Sequence, residues 1–154
     1  MYLLKKTVCL SLLLFLSFFI ANAQDSDVRT IQIEGSDQMK FDVTEITAAP
    51  GEEIKIVLTT VSKLPKVAMA HNVVVLKKDT DINAFSRAAA TARDNDFIPS
   101  KLTDQIIAHT PLAGGGETVE ITFTVPEETG DYTYICSFPG HFAAGMKGTL
   151  IVEE

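Results

Sequence analysis

The segment Cys136-Ser-Phe-Pro-Gly-His141-Phe-Ala-Ala-Gly-Met146 places a thiol, an imidazole and a thioether within eleven residues. A stretch this short lets all three converge on one atom. A second imidazole, His71, lies far upstream, at the head of the run His71-Asn-Val-Val-Val-Leu76. Two imidazoles, a thiolate and a thioether are the donors of a trigonal His2Cys copper site with a long axial methionine. The sulfurs favour Cu(I) and the imidazoles Cu(II), so the set can hold the metal in both oxidation states.

Each residue alone has a plainer explanation. A lone cysteine on an apolar strand is usually a small buried hydrophobe, and a lone methionine is usually core. A histidine beside Pro-Gly is at home on a surface turn. What points to metal is their concentration in one segment. Zinc accepts the same donors, although structural zinc sites use four strong ligands and a thioether is a weak one. A Cys/His pair can also be a nucleophile and its base, but that role needs an oxyanion hole and an orienting group. Gly114-Gly115-Gly116 lacks the Lys-Ser/Thr that completes a phosphate loop. His109, in Ala-His-Thr-Pro, stands apart from the donor segments and is expected to be a surface or second-layer residue.

The elements that must position these donors are written in alternation. Ile31 and Ile33, Phe41 and Val43, then Ile54, Ile56 and Leu58 repeat with period two. So do Val119, Ile121, Phe123 and Val125, then Tyr132, Tyr134 and Cys136, and finally Leu150 and Val152. Such runs between Gly, Pro, Asp and Ser signals predict half-buried antiparallel strands. His71–Leu76 is apolar on both faces and predicts a central strand. Asp81 is placed to cap a helix reaching about Ala92, with Ile82, Phe85 and Ala89 on one face. Residues 94–101 read as a polar connection containing Pro99. The expected fold is all-β: a Greek-key β-sandwich with one short helical insertion.

Composition bounds the function. The chain has 154 residues, 46% of them hydrophobic, enough for one domain. Its three histidines exclude a large multi-imidazole cluster, and a charge of −7 argues against a nucleic-acid partner. Residues 1–23 are expected to be a signal peptide: Lys5 and Lys6, an apolar run from Val8 to Ile20, then Ala21-Asn22-Ala23. The apolar run is shorter than the roughly 20 residues of a membrane-spanning helix. Retention of this segment as an anchor is the alternative. Cleavage after Ala23 would leave residues 24–154 with 11 basic against 20 acidic residues, a charge of −9, and Cys136 as the sole cysteine. An exported chain of that kind cannot form an internal disulfide. No stable membrane insertion is expected of it.

CSFPGHFAAGMKGTL resembles the copper-ligand loop of azurins, within the cupredoxin family, and LPKVAMAHNVVVL resembles their first-histidine segment. DQMKF and IIAHTPLAGGGETVEITF are also azurin-like, and the resemblance runs through nearly all of residues 28–153. It implies a cupredoxin-like, plastocyanin/azurin-like copper-binding domain over residues 24–154, holding one type 1 (blue) copper ion. It implies His71, Cys136 and His141 as equatorial ligands and Met146 as the axial one. Ala70 stands where azurins have a glycine whose carbonyl approaches copper. Asn72 would tie the first-histidine strand to the cysteine loop, and a backbone N–H near Phe138 would donate to the Cys136 sulfur. His141 would reach the surface as the electron port, in an apolar patch of Leu64, Ala68, Met69, Phe138, Pro139, Phe142 and Ala143, joined by Met39. Redox-partner proteins would dock there.

The implied function is a periplasmic or exported carrier of single electrons rather than an enzyme. The alternative is a copper chaperone or storage module, although the mature chain has three methionines and no Met-rich motif. There are departures from azurins. Four residues, not three, separate His141 from Met146, a spacing that resembles auracyanins. The azurin disulfide has no counterpart, and Val73 replaces the tryptophan expected after His-Asn.

Overall fold

The period-two runs become strands because each buries one face. In β4 (Glu53–Val61), Ile54, Ile56 and Leu58 point inward while Lys55, Val57 and Thr59 are half-exposed. The computed structural model describes residues 28–154, so the expected signal peptide lies outside the described residues. Around β4 the chain forms β1 (Arg29–Ser36), β2 (Lys40–Phe41), β3 (Glu45–Ala48), β5 (Ala70–His71) and β6 (Val74–Leu76). Helix α1 (Ile82–Ala89) follows, then β7 (Ile106–His109), β8 (Ala113–Gly114), β9 (Thr118–Thr124), β10 (Gly130–Ile135) and β11 (Lys147–Val152).

One sheet has the order β2-β1-β4-β9 and the other β3-β11-β10-β6-β7, with β5 and β8 forming a small third pair. The sheets are mixed, which corrects the all-antiparallel expectation. β1 runs parallel to β4 and β11 parallel to β3. A parallel pair needs a crossover. Here the chain between β1 and β4 leaves one sheet, adds β3 to the other and returns, which couples the two sheets.

The main core lies between the sheets and includes Ile33, Phe41, Ile54, Ile56, Leu58, Tyr132, Tyr134 and Leu150. A second cluster joins Val74, Leu76 and Ile135 to Phe85 and Ala89 of α1. Val73 and Val75 therefore face the sandwich interior while Val74 and Leu76 face the helix, so this run is apolar without a break. It is not one strand, however: β5 and β6 are separate and pair with different partners.

Asp81 caps α1 by accepting a bond from the Ala84 N–H at 3.0 Å. The helix stops at Ala89, short of the expected Ala92. The connection read as polar buries Phe97, Ile98 and Pro99 between two 3-10 turns. Among the described residues no helix is long and apolar enough to cross a membrane.

Phe85 is fully buried against the outer face of the β6–β10 pair. Phe85→Ala should lower the unfolding free energy by about 3–5 kcal/mol, measured by denaturant titration. A loss below about 1 kcal/mol would mean that α1 is not packed on the sheet as described.

Candidate metal centre

Strand register brings the donors together. β6 and β10 pair with Val74 opposite Ile135 and Val75 opposite Tyr134. Continued past the strand ends, that antiparallel register sets Asn72 against Ser137. The side chains meet there: Asn72 Nδ2 donates to Ser137 Oγ at 2.8 Å, and the Ser137 N–H donates to Asn72 Oδ1 at 2.9 Å. This buried lock places His71 beside the residue that follows β10, Cys136. The β10–β11 hairpin supplies the remaining donors. Its closing pair is Ile135–Lys147, and the Cys136 N–H bonds the Met146 carbonyl at 3.2 Å. Cys136 and Met146 thus face each other across the base of the loop that carries His141.

The distances are those of a single small site. His71 Nδ1 lies 3.1 Å from His141 Nδ1, and Cys136 Sγ lies 3.4 Å from His141 Nδ1 and 3.9 Å from His71 Nδ1. A metal about 2.0–2.3 Å from nitrogen and sulfur donors, at the centre of their triangle, implies edges of about 3.5–4 Å. The observed triangle is close to that size, so the donor set fits the ion. His71, Cys136 and Met146 are fully buried and His141 is 2% exposed. The Ala70 carbonyl oxygen approaches to 4.0 Å from the sulfur.

Burial sets the charge state of each donor. Desolvation pushes His71 and His141 down to about 4; for His141 the neighbouring His71 adds to the effect, while Asp37 and the Ser36 backbone oppose it at His71. Both rings are therefore neutral near pH 7, with lone pairs available. Burial pushes the Cys136 thiol up to about 12, against backbone hydrogen bonds at Asn72 and Phe138 that lower it. A thiol held this high ionises when a cation takes the place of its proton. Nε2 of His71 is buried and has no partner in full hydrogen-bond geometry, so the Ser36 backbone acts on the ring only as a minor influence.

Other expectations fare differently. His141 does not emerge at the surface: its ring packs under Phe138, with centroids 4.8 Å apart, and Phe97 meets Phe138 edge-on at 5.0 Å. Met69 is buried rather than part of an exposed patch. Leu64, Ala68, Pro139 and Ala143 are exposed, and Met39, Phe138 and Phe142 half-buried. Val67, which the sequence did not single out, is the most exposed large apolar residue in this region at 72%. His109 is exposed on β7 and bonds the Thr110 carbonyl, apart from the donor triangle.

Two contributors were invisible in the sequence. Ser137 reads as an ordinary loop serine until the register sets it against Asn72. Gly35 ends the inward face of β1, where a Cβ would come within 2.7 Å of the His71 ring and 3.1 Å of Met146 Cε. It must be glycine for both donors to fit, yet its sequence context carries no chemical signal.

Comparisons with known proteins agree with this geometry. The model of copper binding proteins, plastocyanin/azurin family, matches residues 28–153. The azurin of Alcaligenes faecalis is 41% identical over 123 residues, covering 78% of this chain and 94% of that protein. The azurin of Pseudomonas aeruginosa is 34% identical over 153 residues, covering 97% and 99%. Among solved structures, auracyanin A, a blue copper protein of Chloroflexus aurantiacus, superposes with a TM-score of 0.72 at 35% identity, covering 80% and 98%. Auracyanin of Roseiflexus castenholzii gives 0.71 at 34%, covering 81% and 97%. With four soft and borderline donors buried around one point and the match running through the described domain, the chain belongs to the plastocyanin/azurin family of copper-binding proteins, and copper is its cofactor.

Proposed function

We propose that this protein is an exported type 1 copper carrier that moves single electrons between redox proteins in the periplasm. His71, Cys136 and His141 would hold the copper as equatorial ligands, with Met146 as the axial one, and the ion would supply one-electron chemistry there. The Ala70 carbonyl faces the site from the first-histidine strand. The observation that carries this is the donor triangle of 3.1, 3.4 and 3.9 Å, buried at the end of a β-sandwich. Cycling between Cu(II) and Cu(I) supplies the electron.

The protein's own part is to keep the donors still. The Asn72–Ser137 lock holds the first-histidine strand to the cysteine loop, and the loop is closed by the Cys136–Met146 backbone bond. Backbone N–H groups at Asn72 and Phe138 favour the thiolate and lower its donor strength. Burial excludes water, so no position is left for a substrate, and the site favours electron transfer over catalysis.

Electrons enter and leave at His141, through its contact with Phe138, toward the apolar surface of Leu64, Val67, Ala68, Pro139 and Ala143. A weakly polar surface of this kind suits brief docking by redox-partner proteins. Residues 1–23 act as the signal peptide that brings residues 24–154 to the periplasm. Copper storage or hand-over is the less favoured function, because exchange needs accessible donors and these four are buried.

The copper-loaded protein should show an intense blue thiolate-to-Cu(II) absorption band that is lost on reduction. Cys136→Ser should abolish the band. A colourless copper-loaded wild type would rule out the assignment. Met146→Leu should keep the blue band and raise the reduction potential, measured by protein-film voltammetry, because a hydrocarbon favours Cu(I) more than a weak sulfur donor does. Loss of the band in that variant would contradict an axial role for Met146.

A further inference from the structure

We infer that Lys40 is a positioning residue for the metal site: its ammonium fastens the loop that carries Met146 and so fixes the distance of the thioether from the donor triangle. The inference rests on the axial role proposed for Met146. Lys40 opens β2, and its Nζ donates to the Ala144 carbonyl at 2.6 Å, across 104 residues of sequence. Five other carbonyls of the turn are taken by its own backbone: Phe138 O by His141 N–H, Gly140 O by Ala144 N–H, His141 O by Met146 N–H, Phe142 O by Gly145 N–H and Gly145 O by Lys147 N–H. For Ala144 O the described donor is Lys40.

The residue between this carbonyl and Met146 is Gly145, with φ +90°, in the left-handed region. A Cβ there would be strained and would come within 2.7 Å of Lys40 Nζ. The backbone is thus permissive one residue before the axial donor, and an ammonium holds it at that point. Lys40 is itself placed by a tight turn: Met39 has φ +55°, its N–H bonds the Ser36 carbonyl, and Ser36 pairs with Lys40. The same hairpin holds Gly35 against His71 and Met146. One structural unit therefore touches a nitrogen ligand, the axial ligand and the loop between them. Lys40 and Ala144 are both exposed, so water competes for this bond, but a charged donor makes a stronger bond than a neutral one and biases the loop toward this conformation.

The test uses the copper-loaded protein with Lys40→Met, Lys40→Arg, Met146→Leu and Lys63→Met, the last removing an equal charge from an exposed position outside the loop. Three readouts are compared: the relative intensity of the thiolate-to-Cu(II) bands, the EPR spectrum, and amide hydrogen exchange at Gly145 and Met146. Lys40→Met should shift both spectra in the direction of Met146→Leu and speed exchange about fivefold, the loss of roughly one hydrogen bond. Lys40→Arg should restore the wild-type values, and Lys63→Met should leave them unchanged. If Met146→Leu alters the spectra while Lys40→Met leaves spectra and exchange as in the wild type, the inference about Lys40 is wrong. A spectrum unmoved by Met146→Leu overturns the axial role instead, and exchange at Gly145 then decides whether Lys40 holds the loop. An equal effect of Lys63→Met would reduce Lys40 to one surface charge among others.

Discussion

His71 Nδ1, His141 Nδ1 and Cys136 Sγ point at one another inside a volume closed to water, at separations of 3.1–3.9 Å. Neutral imidazoles and a thiol cannot satisfy this arrangement among themselves. At most they share a proton or two, and the remaining lone pairs face each other in a medium that solvates them poorly. A cation at the centre resolves the conflict, since it attracts all three donors and takes the place of the thiol proton. The fold must therefore hold the donors together against their own electrostatics. Most of the local structure serves that end: the Asn72–Ser137 lock, the Cys136–Met146 closure and Gly35 beside two ligands.

Burial does two things here. It keeps both histidines neutral, so that their lone pairs are available at physiological pH. It also removes the water that would otherwise reorganise when the charge of the site changes. The β-sandwich suits this task because the donors are attached at strand ends whose positions are set by ladders of hydrogen bonds. His71 ends β5, Cys136 follows β10 and Met146 precedes β11. His141 alone lies mid-loop, and it is held by its N–H to the Phe138 carbonyl and by Phe138 packed on its ring.

Much of this was legible in the sequence, and the limits have physical causes. The four donors were readable because scarce residue types stood at a spacing that plain packing does not require. The strands were readable from period two, and the helix from its Asp81 cap and from Phe85 and Ala89 on one face. Parallel pairing was not readable, since β1 beside β4 and β3 beside β11 alternate in the same way whichever direction the neighbour runs. The break between β5 and β6 was hidden because residues 73–76 bury side chains on both faces, in two different clusters. Phe97, Ile98 and Pro99 were read as loop because the surrounding residues are polar. The exposure expected of His141 failed because Phe138 covers its ring, which spacing cannot reveal. Ser137, Gly35 and Lys40 act through partners 65, 36 and 104 residues away, respectively, and only strand register discloses such pairings.

In the proposed function the protein, rather than the oxidation state of the metal, sets the arrangement of the donors. X-ray absorption at the copper edge distinguishes the two, with the same sample measured oxidised and then reduced. A donor set held by the protein gives two nitrogen neighbours and one short sulfur neighbour in both states. Loss of a nitrogen neighbour on reduction, or absence of the sulfur in either state, would contradict it.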